Sequence, residues 1–445
     1  MKYIEATNSQ DNLIRFSEEN LIDRIISTGR HCIIHGFAGS GKSTLIRRLA
    51  ELLGDKCLKL APTGNTAYNI DGSTIDSLIS CFRRSPNSTL KKLELYDFIV
   101  LDEISMVHSF KLEFLFNIMD CLNKISKKIK LILIGDPFQL PPVVRDDMKR
   151  AFSKKAGMQM DYDDFYFFNS KRFQDSFNNM DCILLDKNYR FTDTRYETVQ
   201  RKIALGSANQ DDLEYLNQKV ITYDLFSSVN EHPIILPTRN GANIFNNHYL
   251  ETLGQKFSSV PNVEWITTGY SDIEFEYDFL LEPLDYSIDS PIVFTQNDLN
   301  KQWVNGTKGV IHNIYWDDYG NTYLQIMTDR NEYLRCTQTL HRLQRLVFKL
   351  ESNTIENETV AVIRQFPFIL GYAVTVHRAQ GMTLDSMAFN TGEGLFSPGQ
   401  LYVALSRVRK LDDLTLHVPL RKVDIITSNQ VKAYFDAFTK RCITV

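Results

Sequence analysis

The sequence runs to 445 residues, 43% hydrophobic and 23% charged, enough to bury more than one core, and predicts two to four domains. Fifty basic residues against 54 acidic ones leave a net charge of −4, so bulk charge carries no nucleic-acid signature and any such contact is local. Glu5, Asp11, Arg15, Glu18 and Glu19 break up the N-terminal stretch, and seven scattered cysteines never form C-x-x-C; this argues against a signal peptide, a membrane span, a disulfide framework or a zinc site.

In chain order, apolar runs at 31–35, 57–60, Phe98–Leu101 and 129–134 alternate with amphipathic stretches at 43–53 and 111–125. Apolar strands separated by helices predict a parallel α/β sheet. A second set of such elements begins at 182–185, continues at Ile234–Leu236 and resumes at 372–374 and 414–418. Between them, 290–336 alternates apolar and polar residues around the turn signals Asn305-Gly306 and Gly320-Asn321, which predicts antiparallel hairpins. The expectation is a small β-rich domain inserted into the second α/β domain. Two basic clusters, Lys124-Lys127-Lys128-Lys130 and Arg342-Arg345-Lys349, fit either a groove lining or a solvated face.

Gly36-Phe37-Ala38-Gly39-Ser40-Gly41-Lys42-Ser43 fits G-x-x-x-x-G-K-[ST], between a predicted strand and a predicted helix. That context marks a phosphate-binding loop. Its glycines let backbone N–H groups wrap phosphates at a helix N-terminus, Lys42 brings a point charge, and the Ser43 hydroxyl suits magnesium. Further on, Phe98–Leu101 runs into Asp102 and Glu103. A strand-end pair of this kind suits hydrolysis, with Asp102 on magnesium and Glu103 deprotonating the attacking water. A third strand leads into Gly135-Asp136-Pro137-Phe138-Gln139-Leu140-Pro141-Pro142, at the edge where parallel sheets bind ligands, and Gln139 is placed to sense the γ-phosphate.

These blocks, with Ala61-Pro62-Thr63-Gly64, Asn188-Tyr189-Arg190, Val304-Asn305-Gly306-Thr307-Lys308-Gly309, the run from Thr375 through His377, Arg378 and Gly381 to Leu384, and the run from Gln400 to Arg407, resemble the Pif-type (petite integration frequency) DNA helicases and their RecD and Dda relatives in superfamily one. The resemblance spans most of the chain. It implies an α/β fold of two RecA-like P-loop NTPase domains with parallel sheets, plus a small SH3-like barrel inserted in the second. The expected division is 1–183 for the first domain, with a small wedge near 64–77, then 184–245 with 360–445 for the second, and 246–359 for the insert. It further implies ATP hydrolysis with Mg2+, 5′-to-3′ movement on single-stranded DNA, and unwinding of tailed duplex DNA, G-quadruplexes or RNA–DNA hybrids in replication, repair, recombination or telomere maintenance. A mostly monomeric motor is expected, intracellular, cytoplasmic if bacterial or phage, with no membrane partner and no metal beyond the nucleotide's magnesium.

By the same resemblance, the nucleotide falls to Gly36, Ala38, Gly39, Ser40, Gly41, Lys42, Ser43, Thr44, Gln139, Gly381 and the arginines Arg190 and Arg407. Catalysis falls to Lys42, Glu103, Gln139, Arg190 and Arg407. Strand binding falls to Thr63, Asn65, Thr74, Ser77, Thr238, Arg239, Thr375, His377 and Arg378, groups that grip phosphates without reading sequence. Three departures stand out: no adenine-reading glutamine at 17–20, Asp76 where the family carries histidine, and no Phe-Gly-Gly element at 109–130. One alternative keeps the same motor as a translocase without effective unwinding; those from other classes are a nucleic-acid scaffold with structural ATP and a small-molecule kinase, which would not need the Gln139 or 400–407 blocks.

Overall fold

A computed structural model describes residues 3–7, 13–221, 225, 232–266, 278–298, 302–329, 331–392 and 394–445. The chain forms two compact units. One comprises 1–142, 165–223 and 379–445, the other 143–164 and 224–378.

The first unit is built on a seven-stranded, wholly parallel sheet in the order Ile443–Thr444, Asp181–Leu185, Cys32–Gly36, Lys130–Gly135, Phe98–Leu101, Cys57–Ala61, Ser73–Thr74. Its central strands are buried on both faces, which is why they read as unbroken apolar runs and not as alternation. Ile34, Val100, Ile132, Ile134 and Ile183 pack there with Leu45, Ile46 and Leu49 of the helix Lys42–Leu53. The four strands expected in the first half are present within one residue at each end.

Asp181–Leu185, expected to open a second sheet, instead pairs with Cys32–Gly36 in the first. An apolar strand satisfies its ladder in any sheet of like burial, so its own sequence does not say which. Met387–Phe389 and Leu414–Leu416 form a further parallel pair in this unit.

In the second unit, Ile234–Leu236 pairs in parallel with Ala373–Thr375. Its remaining sheets are antiparallel. Five strands run in the order Tyr333–Thr337, Thr322–Thr328, Lys308–Trp316, Pro291–Phe294, Phe368–Leu370, over a core of Phe294, Trp303, Ile311, Leu324, Ile326, Phe366 and Phe368. The turns at Asn305-Gly306 and Gly320-Asn321 fall where expected, closed by Thr307 N–H to Val304 O and Gly320 N–H to Asp317 O. Beyond the hairpins expected at 290–336 the antiparallel structure continues into a long hairpin of Thr339–Lys349 and Thr354–Gln365, which runs past the expected end of the insert at 359. The Asp147 carboxylate, from the helix Asp146–Ala156, accepts the Leu346 N–H at 2.7 Å and so holds the helix to this hairpin.

Members of both basic clusters are engaged within the fold. Lys127 pairs with Asp97 at 2.6 Å, and Lys130 donates to the Thr28 carbonyl at 2.6 Å. Arg345 grips Glu358 at 2.6 Å across the hairpin. All seven cysteines are free thiols. Among the described residues, no helix is long and apolar enough to cross a membrane.

Candidate active site and strand-binding positions

The strand Cys32–Gly36 ends where space is short. A Cβ on Gly36 would lie 2.3 Å from Ser40 Oγ and 2.9 Å from Leu185 O. Gly39 and Gly41 have φ of 85° and 89°, conformations that glycine adopts without steric cost and that turn successive N–H groups inward. Gly41 caps the helix Lys42–Leu53 with no side-chain bond, so the first helical N–H groups stay directed at the loop. Lys42 Nζ donates to Gly36 O at 2.6 Å and Phe37 O at 3.0 Å. Burial lowers its pKa, while Asp136, Glu103 and Asp102 pull it back up, so one cation faces three carboxylates. Ser43 and Thr44 are exposed in the first turn.

Ala38, expected among the nucleotide-binding residues, donates its N–H to the Tyr402 hydroxyl at 2.6 Å. That hydroxyl in turn donates to Asp136 Oδ2 at 2.7 Å. Asn188 Nδ2 donates to Ala38 O at 3.1 Å and Tyr189 N–H to Gly39 O at 2.8 Å. Sequence reading treated Tyr402 and Asn188 only as parts of blocks, because nothing local says which distant atom a side chain meets. Tyr189, 51% exposed, lies with its ring 3.5 Å from where a Gly41 Cβ would stand.

Asp102 and Glu103 are buried at the end of their strand. Glu103 takes φ of 48°, a left-handed backbone costly for a residue other than glycine and typical of functional sites, and its N–H donates to Asp102 Oδ1 at 2.8 Å. Burial first, then the neighbouring Glu103, raises the Asp102 pKa. Burial also raises that of Glu103, against which Lys42 and then Arg407 act. Gln139, 6% exposed, accepts from Gln380 Nε2 at 3.0 Å, and the same Nε2 lies 3.4 Å from Glu103 Oε2. Gln380 was missed in the sequence, although it stands beside Gly381, which has φ of 80°.

Both expected arginines belong to this unit, in different settings. Arg190 is half-buried, its Cβ 2.8 Å from where a Gly39 Cβ would be, and Nη1 donates to Ser406 O at 3.0 Å. Arg407 is 2% exposed. Its guanidinium donates to the carbonyls of Val403 at 2.8 Å, Ala379 at 3.1 Å and Met382 at 3.0 Å, and to Ser406 Oγ at 2.6 Å. Burial, then Arg190, lowers its pKa to about 10.

The four threonines expected to meet a nucleic-acid strand share one local role. Thr63, Thr74 and Thr238 each cap a helix, accepting from the N–H of Thr66, Ser77 and Gly241. Thr375 Oγ1 accepts from Arg378 N–H at 3.4 Å in the same manner. Thr74 and Ser77 hydroxyls are 2.8 Å apart, and Asn65 lies in the first turn after Thr63. Such caps leave the other N–H groups of the first turn and the outward side of each hydroxyl for an external anion. Asp76 pairs with Lys111 at 2.8 Å, which neutralises the repulsion its carboxylate would otherwise bring. In the second unit, burial and then Arg239 depress the His377 pKa to about 4, so its ring is neutral at physiological pH.

Among the described residues, no group of three or more His, Cys, Asp or Glu is arranged to hold a metal ion. Ser43 and Asp102 fit magnesium in its usual form, with one or two protein ligands and the rest from phosphate and water.

A family model described as an AAA domain matches residues 17–162. Over 412 residues the chain is 26% identical to the ATP-dependent DNA helicase Pif1 of Bdellovibrio bacteriovorus, covering 88% of this chain and 85% of that protein. The solved Pif1 helicase from Bacteroides in complex with ADP-AlF3 and ssDNA aligns with a TM-score of 0.76 at 25% identity, over 95% of this chain and 96% of that one. Bacteroides Pif1 bound to ssDNA aligns over the same shares with a TM-score of 0.75, also at 25% identity. With its phosphate loop, paired strand-end carboxylates and RecA-like parallel sheet, the chain is a homologue of the Pif1 helicases over most of its length.

Proposed function

We propose that this chain is an ATP-dependent DNA helicase that steps 5′ to 3′ along single-stranded DNA and unwinds tailed duplexes. The observation that carries this reading is the meeting of Glu103, Gln139 and Gln380 beside the phosphate loop, an arrangement fitted to activating water and not to positioning a second substrate. Lys42 and the first-turn N–H groups hold the phosphates, and Ser43 and Asp102 hold magnesium. Magnesium, when bound, draws charge from the β- and γ-phosphates. Glu103 takes the proton of the attacking water, Gln139 and Arg190 register the γ-phosphate, and the exposed Tyr189 ring offers a face for the base. Thr63, Asn65, Thr74, Ser77, Thr238, Arg239, Thr375, His377 and Arg378 hold the strand by its phosphates. Two RecA-like domains and an inserted β-rich domain form the motor, with the first domain extended to include all of Asp181–Leu185.

A translocase that clears proteins from a strand is the second reading. The candidate wedge near 64–77 favours it, since its helix, Gly64–Asn69, is six residues long. The test is ATP hydrolysis with and without single-stranded DNA, beside unwinding of duplexes bearing a 5′ or a 3′ tail. Stimulation with unwinding from the 5′ tail alone is expected. Stimulation without unwinding selects the translocase, and absent stimulation refutes strand binding. Lys42→Ala is expected to abolish hydrolysis and leave the fold intact, since the loss is confined to the loop; wild-type turnover in it would remove the proposed site.

A further inference from the structure

We propose that Gln380 is a positioning residue for hydrolysis, one that fixes the water-activating carboxylate and the γ-phosphate sensor relative to each other; this rests on the roles proposed above for Glu103 and Gln139. Gln380 is 6% exposed, and its amide nitrogen is shared between Gln139 Oε1 at 3.0 Å and Glu103 Oε2 at 3.4 Å. Its Oε1 is buried without a hydrogen-bond partner among the described residues. A buried amide oxygen left unpaired costs about 1–3 kcal/mol, so a group that only filled space would be better served by an apolar side chain. A water between Glu103 and this oxygen satisfies both. It gives one hydrogen to the carboxylate, which takes that proton as the water oxygen bonds to the γ-phosphorus and the bond from that phosphorus to the bridging oxygen breaks, ADP leaving with the electron pair; the other hydrogen points at Gln380 Oε1 and stays on the water oxygen.

The backbone under Gln380 is held as a positioning role demands. Arg407 binds the carbonyls on either side of it, Ala379 and Met382, and the Leu384 N–H donates to Arg407 O at 2.9 Å. Gln380 also directly follows the turn of helix Val376–Ala379, which carries His377 and Arg378.

The experiment compares Gln380→Met, which keeps length and volume but removes both polar atoms, and Gln380→Asn, which keeps the amide one methylene short. Measured are kcat and KM for ATP at saturating and zero single-stranded DNA, together with affinity for a fluorescent ADP analogue. Displacing groups at a reacting centre costs on the order of 10- to 100-fold, so Gln380→Met is expected to lower DNA-stimulated kcat by that factor. KM and ADP affinity stay within about threefold, and Gln139→Met adds little to Gln380→Met. A wild-type kcat, or a loss confined to KM and ADP affinity, overturns the proposal. If Gln380→Met does not fold, Gln380→Asn decides by the same criteria. Glu103→Gln separates the two levels. Turnover surviving in it sinks the base assignment itself, whereas a dead Glu103→Gln beside a fully active Gln380→Met sinks only the positioning role.

Discussion

Tyr402→Phe removes a single oxygen and tests how the phosphate loop is held. That oxygen accepts the Ala38 N–H at 2.6 Å and donates to Asp136 Oδ2 at 2.7 Å, both in buried surroundings. Phenylalanine keeps the ring packing and leaves two groups short of a partner. An orphaned buried N–H costs about 1–3 kcal/mol and a lost bond to a charged acceptor about 1.5–3 kcal/mol. Asp136 retains the Phe138 N–H at 3.1 Å, which places the expected loss at the lower end, about 2–4 kcal/mol of local stability. Because every 1.4 kcal/mol is tenfold in an equilibrium, amides of the loop should exchange at least ~30-fold faster with deuterium. Hydrogen exchange read by mass spectrometry on peptides covering 33–42 measures this directly, with peptides from the antiparallel strands as the unaffected reference. Exchange in the loop unchanged within about twofold would mean that the hydroxyl does not hold Ala38.

Arg407→Ala removes one donor from each of three main-chain carbonyls, of which Val403 O keeps Ser406 Oγ and Ala379 O keeps the Met382 N–H, and is expected to lower unfolding free energy by on the order of 3 kcal/mol besides abolishing turnover; a variant as stable as wild type in urea would contradict the buried clamp. The His35 ring is wholly buried, its Nε2 2.8 Å from the Tyr434 hydroxyl, and burial depresses its pKa from 6.5 to about 3. Its contribution to stability is complete above pH 6.5 and is lost as pH falls toward 3, amounting to about 2–3 kcal/mol by pH 4.5. Urea midpoints across that range should show the slope, and His35→Gln should flatten it. Thr238→Val deletes a helix cap and is expected to cost about 1 kcal/mol and to weaken single-stranded DNA in fluorescence anisotropy; unchanged DNA affinity would remove Thr238 from the strand-binding set.

Much of the nucleotide site is legible because its chemistry is written in contiguous residues. Gly36 to Ser43 must form one loop, and Asp102-Glu103 must stand where Phe98–Leu101 stops. Buried parallel strands announce themselves as apolar runs, so the sheet was readable too. Their neighbours were not, which is why Asp181–Leu185 was expected in a different sheet. Tyr402 and Gln380 escaped notice since their meaning lies in atoms hundreds of residues away. The threonines were assigned to strand binding through resemblance, but their role as helix caps depends on where each helix begins, and boundaries are the weakest element of any sequence reading. The hairpin of Thr339–Lys349 and Thr354–Gln365 lies mostly within the β-rich insert expected at 246–359, and what went unread was its end at Gln365, a boundary that composition alone does not fix.

The partners that complete the phosphate loop, Ala38 and Tyr402, stand 364 positions apart, and the strand Ile443–Thr444 closes one border of the sheet by pairing with Asp181–Leu185. During synthesis, Asp181–Leu185 therefore emerges long before the strand that covers its outer side, presenting an open row of amides and carbonyls in the interval. Bare strand borders invite association with other chains. The nascent protein thus passes through a stage in which its nucleotide loop lacks the Tyr402 hydroxyl and one border of its sheet is bare.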